Sequence, residues 1–436
     1  MNTPMMRRRT YTASMLLGLL TACSKTKPPI IGDQMPVMPA SNPLDVAVDA
    51  PAVSLPAPMA LDGWTQSFGN AAHAPGNVAA PLGFAKRFTV NVGAEGGYRQ
   101  PLTAQPLIAG DRIFVFDADA AVHAVSAADG SRLWTTRTRP AHVTAQNLGG
   151  GIAYAGGTLY ASTGFGEVLA FDPASGKILW RQPLDYPART APMVAGGLVA
   201  VIDLNDLLQT FDAASGTPGW RFSGSVGTPS TAAVANSGAP AYAEGMVVGG
   251  FSNGLLAAID AASGTPAWEQ SLDTGGSGLD FSDIVAAPVI AGGVVYAINL
   301  GGTFMAVDLH SGNKVWTHSA HGGQTPASAG GFLFLLDSRQ TLFAIHEDDG
   351  LVSWKLELPR YKKPATQKGP IVWAGPVLLN GALVVVNDQG EAALIDPVAG
   401  QVTRTAKLDG PADFIPVAAN GLLAVLTRNA ELAVYS

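Results

Sequence analysis

Five aspartates and six tryptophans recur at one fixed spacing, and they are the first residues to test for chemistry. Asp172, Asp212, Asp260, Asp308 and Asp396 each stand four residues before a glycine. Trp134, Trp180, Trp220, Trp268, Trp316 and Trp354 each stand four residues after one. Carboxylates in such number could trade protons or hold a cation, and indoles could stack on a planar ligand. Repetition argues otherwise, because a catalytic group is needed once and these are present in almost every copy of one unit. They read as architecture. Each Asp closes an Asx-type turn by accepting backbone N–H bonds. Each Trp docks a flat apolar face and one N–H against a neighbouring unit.

The remaining reactive side chains are few. His310, His318 and His321 are close in sequence, but the three-residue step from His318 to His321 does not put two ligands on one face of a strand, so they read as surface histidines and no metal site is expected. No G-x-S-x-G elbow, P-loop or H-E-x-x-H motif occurs. Cys23 is the one cysteine, which excludes a disulfide framework, a cysteine zinc site, an iron–sulfur cluster and a C-x-x-C-H haem site. No catalytic residue and no cofactor are expected.

The elements around these residues form a repeat. A turn pair recurs at Gly110-Asp111, Gly156-Gly157, Gly196-Gly197, Glu244-Gly245, Gly292-Gly293, Gly330-Gly331, Asn380-Gly381 and Asn420-Gly421, at intervals of 38 to 50 residues. A proline stands four residues before each turn except in the second unit, where Ile152 takes its place. Within the unit, strand-length apolar runs alternate with Gly turns, as in Val294–Ile298 and Phe304–Asp308. Four strands per unit is the pattern of a propeller blade. The eighth unit ends at Ser436 without a fourth strand, and the run from Phe84 to Val90 has the length and alternation to supply it. The expected fold is all-β, an eight-bladed propeller of four-stranded antiparallel blades over residues 62–436.

The N-terminus reads as a targeting segment. Arg7, Arg8 and Arg9 precede a short apolar stretch ending in Leu20-Thr21-Ala22-Cys23. This is a secretory signal layout with a lipobox-like end, so residues 1–22 are expected to be removed and Cys23 lipidated. The resemblance to bacterial lipoproteins, many of which are kept in the inner membrane by an Asp at the next position, implies the outer membrane, periplasmic face, because that position holds Ser24. The mature chain carries 23 basic and 33 acidic residues, a net charge of −10 without a global basic surface, so nucleic acid is not an expected partner. Residues 24–60 hold eight prolines, and 23–61 reads as an extended tether holding the propeller away from the membrane.

The Asp-x-x-x-Gly-x-x-x-Trp unit, as in Asp172–Trp180 and Asp260–Trp268, resembles the repeat of pyrroloquinoline-quinone-type propellers. With the lipobox and tether, the chain resembles the BamB family of outer membrane β-barrel assembly lipoproteins. The resemblance implies a non-enzymatic scaffold, monomeric within a hetero-complex, that binds a POTRA domain of the central barrel-assembly protein. The family's contact surface lies on inter-blade loops. Its Leu-Ser-Asp motif corresponds to Phe281-Ser282-Asp283, with Leu279 just before it. Its apolar-Arg-Gly-Glu run corresponds to Ser223-Gly224-Ser225-Val226, without the Arg; Arg221 and Phe222 are adjacent. The expected partner contacts are therefore Arg221, Phe222, Ser223, Leu279, Phe281, Ser282 and Asp283.

Loop length selects the same region. Trp220 to Pro240 and Trp268 to Pro288 each span 20 residues, against 10 from Trp316 to Pro326. Long loops on a rigid scaffold are where binding concentrates. The span from Trp354 to Pro376 is 22 residues and carries Lys355, Arg360, Tyr361, Lys362, Lys363 and Lys368, a solvated loop or a second partner or lipid-headgroup surface. Two other functions fit the repeat: a quinone-dependent dehydrogenase, and a periplasmic binding or sensor propeller.

Overall fold

The computed structural model describes residues 44–225, 237–272, 282–320 and 322–436. Cys23, the signal segment, the first part of the tether, Leu279, Phe281 and His321 lie outside the described residues.

The described residues form eight blades, each an antiparallel sheet of four strands in radial order, the first carrying Gly63–Trp64 as an added fifth strand. Blade 5 is representative, with Val289–Ala291 innermost, then Val294–Ile298, Thr303–Asp308 and Lys314–Ser319. The two-residue turns joining first and second strands need a left-handed backbone, which explains their composition. In Asn380-Gly381 the φ angles are 45° and 78°, the geometry of a type I′ hairpin turn.

Burial follows position in the blade. The middle strands are mostly apolar, fully so in Phe332–Leu336, where all five residues are buried. Both of their faces pack on neighbouring blades, so strict alternation would leave polar groups in the core. The outermost strands meet solvent and alternate, as in Pro218–Ser223.

The tryptophans join the blades as the repeat implies. The Trp220 indole N–H donates to Ala261 O at 2.8 Å, and Trp268 donates to Leu309 O at 2.7 Å. Each ring also covers the next blade's turn glycine, leaving no room for a Cβ: one placed on Gly264 (φ +73°) would sit 2.5 Å from Trp220. The aspartates serve those same turns. Asp260 accepts the backbone N–H of Ser263 at 2.8 Å and its hydroxyl at 2.7 Å, and these bonds hold the carboxyl below the usual range.

The ring closes between its termini. Lys86–Asn91 pairs antiparallel with Glu431–Tyr435 and completes the eighth blade. Lys86 Nζ lies 2.5 Å from Asp409, whose other oxygen accepts the Thr89 hydroxyl at 2.7 Å. Closure pairs strands that would otherwise be open edges.

The expected boundary at residue 62 needs correction. Residues 44–61 do not stand off as a tether but lie against the propeller. Leu44 and Val53 are buried, Ala47 N–H donates to Val352 O at 2.9 Å, and Ser353 Oγ donates to Pro51 O at 2.7 Å. Proline bars this segment from a sheet interior but not from docking its apolar side chains one at a time. The segment that follows then travels the ring. Leu61 O accepts from Asn420 of blade 8, Trp64 pairs with Ile108 of blade 1, and Thr65 O accepts from Tyr154 of blade 2. Gln66 bonds both backbone groups of Val194 in blade 3, at 2.8 and 3.0 Å. Ala71 O accepts from Tyr242 of blade 4, Ala72 O from Ile290 of blade 5, and Val78 is bonded to Leu378 and Asn380 of blade 7. This collar satisfies polar groups on the innermost strands that no fifth strand covers.

Candidate partner-docking site

The loops that lead from each blade's outermost strand to the next blade's innermost strand share one face of the ring. Four of them are bonded in series. Thr190, before blade 3, bridges Ser237, before blade 4. Gly238 N–H donates to Val285 O, before blade 5, at 2.7 Å. Ala287 N–H donates to Thr325 Oγ1, before blade 6, at 2.9 Å. Gly238 is required there, since a Cβ would meet Ala287 N at 2.1 Å.

Arg189 is the centre of this junction. Its side chain is 0% exposed. Its backbone is fixed first: Arg189 N–H donates to Ile202 O at 2.9 Å, and its carbonyl accepts from Ser237 N–H at 3.2 Å. Its guanidinium then reaches three loops, with Nε donating to Ser237 Oγ at 2.8 Å, one terminal nitrogen to Asp206 at 2.8 Å, and the other to Asp283. Asp206 also accepts the backbone N–H and hydroxyl of Ser252 from blade 4. Two carboxylates face one guanidinium, and the backbone N–H and hydroxyl of Ser252 support the second negative charge among buried side chains.

The expected contact residues divide. Asp283 is 1% exposed and bound to Arg189, so it is not an exposed partner contact. The expectation placed a carboxylate on the surface, whereas burial with a cation gives it the work of fixing a loop. Arg221 is half exposed and pairs with Asp185 at 2.8 Å, within the blade 2–blade 3 region rather than with Asp283. Phe222 is partly buried against Phe251, ring centroids 5.7 Å apart. The Ser223 hydroxyl is 3.1 Å from that of Ser225. Ser282, half-buried, immediately precedes Asp283. Sequence reasoning looked for the arginine near residue 223 and missed Arg189. The available signal was its place three residues before Pro192, in the same kind of loop that carries Asp283 before Pro288.

At the channel mouth on this face is a cavity of about 180 Å³, with Phe68 of the collar among its lining residues. Its polar wall includes Thr103, Gln105, Ser237, Thr325 and Asp413. Asp413 is taken by Arg428 through two bonds of 2.8 and 2.5 Å. Propellers of this repeat type include quinone enzymes, whose ligand is a carboxylated quinone with its cation. The described wall residues do not fit that ligand: they offer neutral groups and a carboxylate already paired with Arg428, and no cationic side chain among them meets an anionic quinone. Among the described residues no cluster of His, Cys, Asp or Glu is placed to hold a metal ion.

Comparison with known proteins agrees with this architecture. The chain is 26% identical over 126 residues to the outer membrane protein assembly factor BamB of Moranella endobia, covering 27% of this chain and 31% of that protein. It is 30% identical over 137 residues to the quinohemoprotein alcohol dehydrogenase ADH IIB of Pseudomonas putida, covering 28% of this chain and 20% of that protein. The chain thus matches about a third or less of the length of these curated relatives. The crystal structure of BamB from Moraxella catarrhalis superposes with a TM-score of 0.66 at 16% identity, over 80% of this chain and all of that one, a likeness of fold. The family model described as outer membrane protein assembly factor BamB matches residues 90–147 and 141–356, more than half of the sequence. The chain belongs to the BamB family.

Proposed function

We propose that this chain is a non-enzymatic scaffold of outer membrane β-barrel assembly, held to the periplasmic face of the outer membrane through lipidated Cys23. Its loop face docks a POTRA domain of the central barrel-assembly protein. The observation that carries this reading is the Arg189 junction. A buried cation bonded to Ser237, Asp206 and Asp283 fixes the ends of the two 20-residue connections before blades 4 and 5. Rigid bases under long loops limit the ordering cost of binding, which is how a scaffold gains affinity. Family membership supports the assembly role, and the dehydrogenase likeness rests on the shared repeat, while the described residues of the channel wall offer no donor set that fits a quinone.

The test is a pull-down of the full-length lipoprotein from detergent-solubilised outer membranes, with a Ser282→Arg variant alongside. Recovery of the central barrel-assembly protein by wild type and not by the variant is expected. Recovery by both moves the contact away from the blade 4–blade 5 loop. Recovery by neither, with the assembly machine intact, sinks the scaffold reading in favour of a generic binding propeller.

A further inference from the structure

The connection between blades 6 and 7 contains an extra hairpin. Tyr361–Lys363 pairs with Lys368–Pro370, joined by a 3₁₀ turn over Pro364–Thr366. The fold does not need it, because 10 residues suffice from Trp316 to Pro326 where 22 are used here. Its base is rigid. Ile371 N–H donates to Arg360 O at 2.9 Å, and the indole of buried Trp373 donates to Pro359 O at 2.9 Å. Residues 362–370 are all exposed.

Arg360, Lys362, Lys363 and Lys368 lie within nine residues on a chain of net charge −7. None of the four has an ion pair among the described residues. Lys363 and Lys368 are directly opposed in the ladder, where like charges destabilise a pair of strands. The Lys362 side chain lies over Gly369, 3.2 Å from where a Cβ would stand, and strand alternation puts it on the face opposite the Lys363–Lys368 pair. A surface that keeps mutually repelling cations on a rigid projection is arranged for an anion. A protein partner would also ask for a buried cluster of apolar or aromatic anchors at the centre of the contact, whereas Tyr361 is half-buried at the hairpin's base, Val372 lies just beyond it, and the exposed stretch 362–370 carries Lys, Thr, Gln, Gly, Ala and Pro.

We propose that the Arg360–Pro370 hairpin is an anion-binding surface for the phosphate headgroups of a lipid membrane. It acts by summed charge, about fivefold in membrane partitioning for each cation brought to an anionic surface. The proposal is independent of the assembly role, since it concerns a different connection and needs no protein partner.

The test uses the mature chain with Cys23→Ser, which removes the acyl anchor, in co-sedimentation with vesicles of phosphatidylglycerol–phosphatidylcholine or of phosphatidylcholine alone. Binding to the anionic vesicles only is expected, falling on the order of a hundredfold in Lys362→Gln/Lys363→Gln/Lys368→Gln. The variant keeps the wild-type Tm or gains slightly, because it relieves Lys363–Lys368 repulsion. Inorganic phosphate at millimolar concentration should not displace the chain. If it does, the hairpin is a small-anion site and the membrane assignment falls. Equal vesicle binding by wild type and variant overturns the proposal, as does absence of vesicle binding with retention on an acidic polypeptide such as polyglutamate.

Discussion

Arg189 and Asp283, 94 positions apart, meet as a buried hydrogen-bonded ion pair that ties the loop before blade 3 to the loop before blade 5. Removing the cation leaves two carboxylates, Asp206 and Asp283, enclosed without their partner. Arg189→Met is therefore expected to lose about 3–5 kcal/mol in urea unfolding, the cost of breaking a buried ion pair on one side. Arg189→Lys should also be destabilised, because one ammonium cannot reproduce the planar fork that spans Ser237, Asp206 and Asp283. A loss below about 1 kcal/mol in Arg189→Met would refute this account of the junction.

The blade interlock predicts unequal responses from two similar glycines. Gly264 and Gly293 have φ of 73° and 77°. A methyl on Gly264 strikes Trp220, whereas one on Gly293 has nothing within 4 Å. Gly293→Ala should cost about 1–2 kcal/mol from backbone strain alone. Gly264→Ala should cost about 1–3 kcal/mol more from overpacking. Thermal denaturation of the pair decides this, and equal losses would remove the interlock from the stability of the ring.

His73 of the collar should make the fold acid-sensitive. Burial lowers its pKa from 6.5 to about 4, opposed by the hydrogen bond to Pro288 O at 2.7 Å. Above pH 6.5 folded and unfolded chains both carry the neutral ring. Between pH 6.5 and about 4 the unfolded chain takes up a proton that the folded chain refuses, so stability falls as pH drops, by on the order of 3 kcal/mol from this group. His73→Asn, chosen because His73 has a φ of 58° and Asn tolerates that conformation, should flatten the wild-type slope in that window. Parallel curves would mean that another group titrates.

Closure of the eighth blade should control cooperativity. Deleting residues 431–436 removes the partner of Lys86–Asn91 and exposes the edge of Leu422–Leu426. Such a chain is expected to unfold over a broadened transition and to be cut by protease in the eighth blade. A sharp transition at the wild-type temperature would show that the collar alone holds the ring shut.

Much of the propeller was legible because its instructions are local. The turn at Asn380-Gly381, the Asp260 cap and the placement of Trp220 are each set by a few consecutive residues. Eight repetitions of the turn, five with the Asp and six with the Trp, specify the blade and its number, and the strand missing from the eighth unit gives Lys86–Asn91 its closing role. The collar was not legible. Residues 44–82 have no period, and what orders them is a row of backbone groups spread over all eight blades that exists only once the ring has formed. The site was half legible for the same reason. The long connections and Asp283 could be picked out along the chain, but whether a carboxylate faces solvent or a buried guanidinium depends on which loops the ring brings together. Sequence alone determined the repeat and hence the fold; the tertiary structure alone decided that Asp283 answers to Arg189, because their attraction acts across a distance that chain order does not encode.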